Sequence, residues 1–278
     1  MKIGFIGLGN MATAIIGGLL REDTTLSSED GNATVITAAN IIGSAKTEAT
    51  RQKRAEQFGI AVTASNREVA EAADVLVLAV KPQFFPEVIA EIRDAVSENT
   101  LVISIAAGLT LERIAGLFDR NVTAMRLIRC MPNTPALVNA GCTAVVPGPG
   151  ATEADEALCL RLMESFGRAI VIPERLMDAA SATAGSSPAF VFMFIEALAD
   201  GAVAAGMPRA QAYEFAAAAV AGSAQLVLET GRHPGDLKDM VCSPAGTTIE
   251  GVRALEEGAF RASVMNAISA CVEKAKAL

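Results

Sequence analysis

A chain of 278 residues has room for one large domain or two ordinary ones, each able to bury a core. Hydrophobic residues make up 51% of it and the mean hydropathy is +0.39, so much apolar surface must be hidden, with subunit interfaces the obvious place. The formal net charge of -8 leaves no broad cationic face for a nucleic-acid backbone or an anionic membrane surface, and those partners are set aside.

The opening segment, MKIGFIGLGNMATAIIGGLLRE, fits two patterns: a secretory signal peptide, or the first strand, turn and helix of a dinucleotide-binding fold. The downstream pattern decides between them. KIGFIG predicts a strand and MATAIIGGLL a helix; LREDTTLSSEDGNAT is polar enough for a long flexible loop; TVITAA predicts the second strand, and TRQKRAEQFG a helix ending at a C-cap glycine. Then come a strand in IAVTA, a helix through REVAEAA, the strand DVLVLAV, a helix around FFPEVIAEIRDAV, the strand TLVISIAAG and the helix LERIAGLF. NVTAMRLIR, GCTAVVP and AIVIP complete the strands. This alternation predicts an α/β Rossmann-like N-terminal domain, doubly wound with a mostly parallel sheet, over residues 1–175. Glycines break the apolar run of the opening segment, and the strands after it do not suit a secreted, disulfide-bearing domain.

After Pro173 the strand signals stop. Helices are predicted after Ser187-Pro188, after Met207-Pro208, at PGDLKDMV, and in TTIEGVRALEEG and RASVMNAISACVEKAKAL, so residues 176–278 form an all-α C-terminal dimerisation domain. AFVFMFIEALADGAVAAG and EFAAAAVAGSAQLVLETG are interrupted or bounded by Glu196, Asp200, Glu214, Gln225 and Glu229, which argues against a bilayer span and for helices buried at an interface. Cys130, Cys142, Cys159, Cys242 and Cys271 are odd in number and include no CxxC pair, which disfavours a disulfide framework or a zinc site; they read as buried thiols of a cytoplasmic protein.

GLGNMA places Gly7, Gly9 and Ala12 in a GxGxxA turn between a strand and a helix. Gly7 permits the tight turn, Gly9 lets the backbone approach a pyrophosphate, and Ala12 allows close helix packing. An acid at the end of the second strand would favour NAD. That strand reads TAAN, with no carboxylate before Glu48 and with Lys46, Arg51, Lys53 and Arg54 close behind. NADP is therefore expected, with Asn40, and Ser44 as a second candidate, near the 2'-phosphate.

Several longer segments resemble the pyrroline-5-carboxylate reductase family across nearly the whole chain: GFIGLGNMA, LAVKPQ, SIAAGLTLERI, RCMPNTPALVNAGCTAV, AGSSPAFVFMFIEALADGAV and HPGDLKDMVCSPAGTTIEGVRALEEGAFRASV. Two departures are visible: Ala245 stands where the family's SPGGTT has glycine, and the loop after the first helix is longer than usual. The resemblance implies reduction of 1-pyrroline-5-carboxylate to L-proline by hydride from NADPH, with NADH also possible, in a homodimer or a larger homo-oligomer. It implies cofactor contacts from Ile6, Gly7, Gly9, Asn10 and Met11, from Asn66 at the adenosine end, and from the backbone of Ala79, Val80, Lys81 and Pro82 along the nicotinamide side. Ala106, Ala107 and Gly108 would leave room for the nicotinamide ring. Ser243, Gly246, Thr247 and Thr248 would cradle the substrate carboxylate, with the Thr248 hydroxyl reaching the ring nitrogen. His233 reads as a helix-start residue. Two other readings keep the cofactor: a β-hydroxyacid dehydrogenase, for which Lys238 is the helical-domain lysine, and an NADP-binding sensor without turnover.

Overall fold

In the computed structural model the described residues are 1–21, 25–27 and 33–276. The chain divides into two compact units, Met1–Gly185 together with the end of the chain from Lys274, and Ser186–Glu273.

The first unit runs β1 (Ile3–Ile6), α1 (Asn10–Leu19), β2 (Thr25–Ser27), β3 (Ala33–Val35), β4 (Ile41–Ser44), α2 (Glu48–Phe58), β5 (Ala61–Thr63), α3 (Asn66–Ala72), β6 (Val75–Leu78), α4 (Phe85–Ile92), β7 (Leu101–Ser104), α5 (Leu111–Leu117), β8 (Leu127–Met131), β9 (Gly141–Pro147), α6 (Glu153–Glu164), β10 (Gly167–Val171) and α7 (Met177–Ala180). Eight strands form one sheet in the order β10-β9-β8-β7-β6-β1-β4-β5. Every pairing is parallel except β8 with β9. Strands buried on both faces need no polar alternation, and IGFI, VLVL and LVIS are apolar at nearly every position for that reason.

Alternate side chains feed two cores. Ile3, Phe5, Val75, Val77, Leu101 and Ile103 pack with Ile15, Ile16, Leu158 and Leu162 of α1 and α6. Ile6, Leu76, Leu78 and Val102 pack on the other face with Val69, Phe85, Ile89 and Ile114 of α3, α4 and α5. Each such side chain, fully withdrawn from water, contributes about 1.5–3 kcal/mol.

Three local features differ from the sequence reading. The first strand to join the sheet after the first helix is Ile41–Ser44, seven residues later than the start of TVITAA, because Ala38–Asn40 forms a 3-10 turn closed by a Thr37–Asn40 capping box. Within LREDTTLSSEDGNAT, β2 and β3 pair antiparallel, while residues 22–24 and 28–32 lie outside the described residues. Helix α6 was not expected. Its start is a capping box in which Thr152 Oγ1 accepts from Asp155 N–H and Asp155 Oδ2 accepts from Thr152 N–H. Burial alone would raise the Asp155 carboxyl, but hydrogen bonds from Arg126 and Thr152 outweigh it and hold the group below the usual carboxylate range. All five cysteines are free; Cys130 and Cys159 are buried and the other three are half-buried.

The second unit holds α8 (Ser187–Ala204), α9 (Arg209–Thr230), α10 (Pro234–Val241) and α11 (Thr247–Glu257), and most of α12 (Phe260–Lys276). Its buried apolar cluster is small: Ala199, Ala212 and Ala216, with Ile195, Ala202, Val203 and Met207 against them. Large apolar side chains stand exposed instead, among them Phe192 and Phe215 at 60% and 67%. So much exposed hydrocarbon on a unit with so little core points to a partner surface. The helical run Glu174–Ala204 is, by length and composition alone, apolar enough to cross a bilayer, despite Glu196 and Asp200.

Candidate active site

A cavity of about 680 Å³ opens in the first unit at the carboxyl ends of β1, β4, β5 and β6, where folds of this kind bind their ligands. Its floor is the glycine turn. Gly7 takes a φ of +95°, and a Cβ there would lie 2.8 Å from the Ala79 carbonyl oxygen. Gly9 is the N-cap of α1, and a Cβ on it would meet nothing within 4 Å. No side chain caps α1 and no acid stands in its first turn. The free N–H groups and the positive end of the helix dipole therefore face open space beside Gly9 and Asn10, a seat for a pyrophosphate. Ala12 is buried against the core, as close packing requires. Ile6, Met11, Pro82, Ala106, Ala107 and Gly108, also expected to contact the cofactor, do not line the cavity. Ile6 is a core side chain whose carbonyl accepts the Ala79 N–H at 2.8 Å, and Met11 packs half-buried against the core.

The ribose end corrects the sequence reading. Asn40 precedes β4 and so sits at the amino edge of the sheet, away from the cavity. Its side chain is also in use: Oδ1 accepts from Thr37 N–H and Oγ–H, and Nδ2 donates to the Met1 carbonyl. The strand ends at Ser44, and the residues that line the cavity beyond it are Ala45, Lys46, Thr47, Thr50 and Arg54. Arg51 does not line it; its Nη1 donates to the carbonyls of Ala45 (2.7 Å) and Lys46 (3.1 Å) and fixes that loop. Arg54 Nε donates to the Leu8 carbonyl at 3.3 Å, tying α2 to the glycine turn. No acid from this loop reaches the cavity, whereas Lys46, Arg54 and the N-terminus of α2 do. That donor set suits a phosphate on the ribose. Ser44, the second candidate from the sequence, does line the cavity, together with Lys46 and Arg54 of the cations behind IIGS.

Asn66 lines the cavity and is doubly held: its Oδ1 accepts from Ser44 Oγ (2.7 Å), and its Nδ2 donates to Glu91 Oε2 (2.6 Å). Ala79, Val80 and Lys81 line the opposite wall, and Pro82 begins the 3-10 turn that leads into α4. Phe84, Glu87, Val88 and Glu91 of that turn and helix also line it, a contribution the sequence reading did not include. Ala106 is buried, while Ala107 and Gly108 are exposed beyond the end of β7.

In the second unit Ser243 and Thr247 are exposed, and Gly246 and Thr248 are half-buried. Gly246 is the N-cap of α11; no side chain caps this helix, and the Gly246 N–H donates to the Ser243 carbonyl at 3.0 Å. A Cβ on Gly246 would overlap Ser243 Oγ. The first turn of α11 thus presents backbone donors that no side chain occupies, as an anion cradle must. Ala245 sits at φ +58°, so the position does need left-handed backbone, which alanine adopts at a cost of about 1 kcal/mol. Ala245→Gly is expected to stabilise the protein by roughly 0.5–1 kcal/mol, because the more mobile unfolded chain offsets part of the relief. Scanning calorimetry checks this, and a lowered melting temperature would contradict it.

His233 is the N-cap of α10, its Nδ1 accepting from Gly235 N–H at 3.0 Å. Lys238 forms an exposed pair with Asp239 at 2.8 Å, and that hydrogen bond raises its pKa and keeps the amine charged.

Comparison with known proteins adds the family. Residues 174–278 match a model described as pyrroline-5-carboxylate reductase dimerisation, and residues 2–108 one described as NADP oxidoreductase, coenzyme F420-dependent. The pyrroline-5-carboxylate reductase of Escherichia coli is 50% identical over 277 residues, covering 100% of this chain and 98% of the relative. The chain belongs to the pyrroline-5-carboxylate reductase family. Among solved structures, the pyrroline-5-carboxylate reductase of Coxiella burnetii superposes with a TM-score of 0.89 at 33% identity, over 99% of this chain and 97% of that one. The Plasmodium falciparum enzyme, solved with NADP bound, gives 0.81 at 29% identity over 100% and 97%.

Proposed function

We propose that this protein reduces 1-pyrroline-5-carboxylate to L-proline with NADPH, the last step of proline biosynthesis. The observation that carries the cofactor half is the uncapped start of α1 beside Gly9, in a cavity whose ribose end offers Lys46, Thr47, Thr50 and Arg54 and no acid from the β4 loop. The 2'-phosphate is assigned to those residues, the pyrophosphate to the turn through Gly7, Gly9 and Asn10, and the adenosine to the side of Asn66. Residues 79–82 and 106–108 are assigned to the nicotinamide. When bound, the cofactor supplies the hydride.

The substrate carboxylate is assigned to the N-terminus of α11, through Ser243, Gly246, Thr247 and Thr248. A protonated cyclic imine is already a strong electrophile, so the protein needs to orient it and place charge rather than supply a strong acid. Thr248 orients the ring nitrogen with its hydroxyl. The exposed apolar faces of α8 and α9 are assigned to a second copy of the chain, which places the long run Glu174–Ala204 at a subunit interface and not in a bilayer. The five free cysteines accord with a cytoplasmic setting.

Oxidation of NADPH followed with pyrroline-5-carboxylate, then with a ketoacid, and reduction of NADP+ followed with the matching hydroxyacid, test the substrate. Consumption with the imine alone is expected; turnover with the hydroxyacid pair would move the protein to the dehydrogenase class, and silence with both would make it a sensor. Cofactor choice has its own test. Ala45→Asp puts a carboxylate at the strand end and is expected to weaken NADPH at least tenfold relative to NADH, whereas Asn40→Asp leaves the ratio of kcat/KM values unchanged. The reverse pattern would restore Asn40 to the site.

A further inference from the structure

Between the end of β7 and the start of α5 the backbone alternates fixed and free positions. Ala106, Leu109 and Leu111 are buried at 2%, 5% and 4%, while Ala107 and Gly108 stand exposed between them, Gly108 at a φ of +73°. The upstream anchor is Ser104, whose Oγ accepts the Ala106 N–H at 3.3 Å. The downstream anchor is the first turn of α5. Thr110 caps it by accepting the Arg113 N–H, which leaves the Leu111 N–H for another acceptor, and that acceptor is Glu174 Oε1 at 2.9 Å.

The same oxygen takes a second bond, from Arg129 Nη1 at 3.1 Å. Arg129 stands on β8 directly opposite Ser104, with its side chain only 6% exposed. Its Nε is buried and has no partner among the described residues. A guanidinium in such surroundings is expensive, and one carboxylate with a single bond does not recover the cost; an apolar pair of similar volume is commonly as stable or more so. The pair is therefore poorly explained as a source of stability. It is well explained as a way to fix a position, because one oxygen joins β8, the start of α5 and the chain leaving β10.

We propose that Arg129 and Glu174 are positioning residues which, through the Leu111 N–H, set the height of the exposed backbone at residues 107–108 against the nicotinamide ring. This rests on the assignment of residues 106–108 to the nicotinamide under the proposed function. Neither side chain touches the reacting atoms. Their removal tilts α5 and the turn that precedes it, lengthening the hydride path while leaving the adenosine end of the cofactor, seated on β1, β4 and α2, undisturbed.

The test uses the full-length protein with Glu174→Gln, Glu174→Ala and Arg129→Met. In the ligand-free protein, amide exchange of a peptide covering residues 105–111 is expected to quicken about tenfold in Glu174→Ala. Calorimetry is expected to give NADP+ dissociation constants within threefold of the parent. With 4-deuterated NADPH, kcat is expected to fall about tenfold with an increased primary isotope effect, while KM for the imine stays within threefold. Arg129→Met is expected to show the same increased isotope effect without a lower melting temperature, which a merely structural pair would not produce. If Glu174→Ala does not fold, Glu174→Gln and Arg129→Met carry the same readouts. Unchanged exchange and an unchanged isotope effect would overturn the proposal. Failure of the parent protein to oxidise NADPH with the imine would overturn the functional reading instead, and the exchange measurement would still judge the brace.

Discussion

Gly9→Val is expected to abolish NADPH binding, lowering affinity by more than a hundredfold, while the protein remains folded. The physical case is a contrast between two glycines two residues apart. At Gly9 an added Cβ meets nothing within 4 Å and φ is -75°, an ordinary value for any residue, so neither packing nor backbone resists the change. The space that valine fills is the space beside the uncapped first turn of α1. A branched side chain there keeps a pyrophosphate from reaching the N–H groups, and each charge-assisted bond lost costs about 1.5–3 kcal/mol. Gly7→Ala behaves differently. Its Cβ would press on the Ala79 carbonyl at 2.8 Å and must hold a φ of +95°, so the loop carrying residues 79–81 shifts and the fold itself weakens by roughly 2–3 kcal/mol. Calorimetric titration of NADP+ together with thermal unfolding separates the two. A Gly9→Val protein that binds NADP+ as the parent does would remove the pyrophosphate from this turn.

The contrast also marks what could be read in the sequence. GLGNMA is legible because its three positions are fixed by sterics over a short span, and the turn, helix and cavity all depend on it. The strands are legible for the same kind of reason: a parallel sheet covered on both faces leaves VLVL without a polar position and LVIS with one only at its end, Ser104. The second strand is where local pattern misleads. TVITAA has better β-branched content than IIGS, yet Thr37 and Asn40 bond to each other and close a turn, so the strand begins only at Ile41. That shift carries Asn40 to the other edge of the sheet and leaves Ala45 and Thr47, which carry no sequence signal of their own, beside the cavity with Ser44 and Lys46. Helix α6 carries a local signal, the Thr152–Asp155 capping box, but its apolar periodicity is weak because charged residues open it. The cavity wall from α4 had none, since Glu87, Val88 and Glu91 acquire meaning only once β6 and β4 are neighbours of β1. The pairing of Arg129 with Glu174 spans parts of the chain that only the fold brings together.

The second large effect is expected at the start of α11. Gly246→Ala should raise KM for the imine at least tenfold and leave NADP+ binding unchanged, because its new methyl group collides with Ser243 Oγ and turns the loop away from the helix end. The argument is electrostatic as well as steric. The first-turn N–H groups of this helix have no side-chain cap, and an anion placed there gains about 0.3–1 kcal/mol from the dipole alone, up to ~2 kcal/mol when partly buried, beyond its hydrogen bonds. Moving the loop forfeits alignment rather than charge, so affinity for the substrate falls while the cofactor cavity, built from another part of the chain, keeps its shape. Thr248→Val isolates the remaining contribution. It preserves volume and branching on α11 and removes the hydroxyl, so kcat should drop about 10–100-fold with a smaller change in KM. If Thr248→Val instead raises KM and spares kcat, the hydroxyl serves the carboxylate and not the ring nitrogen, and orientation of the imine must come from the backbone donors alone.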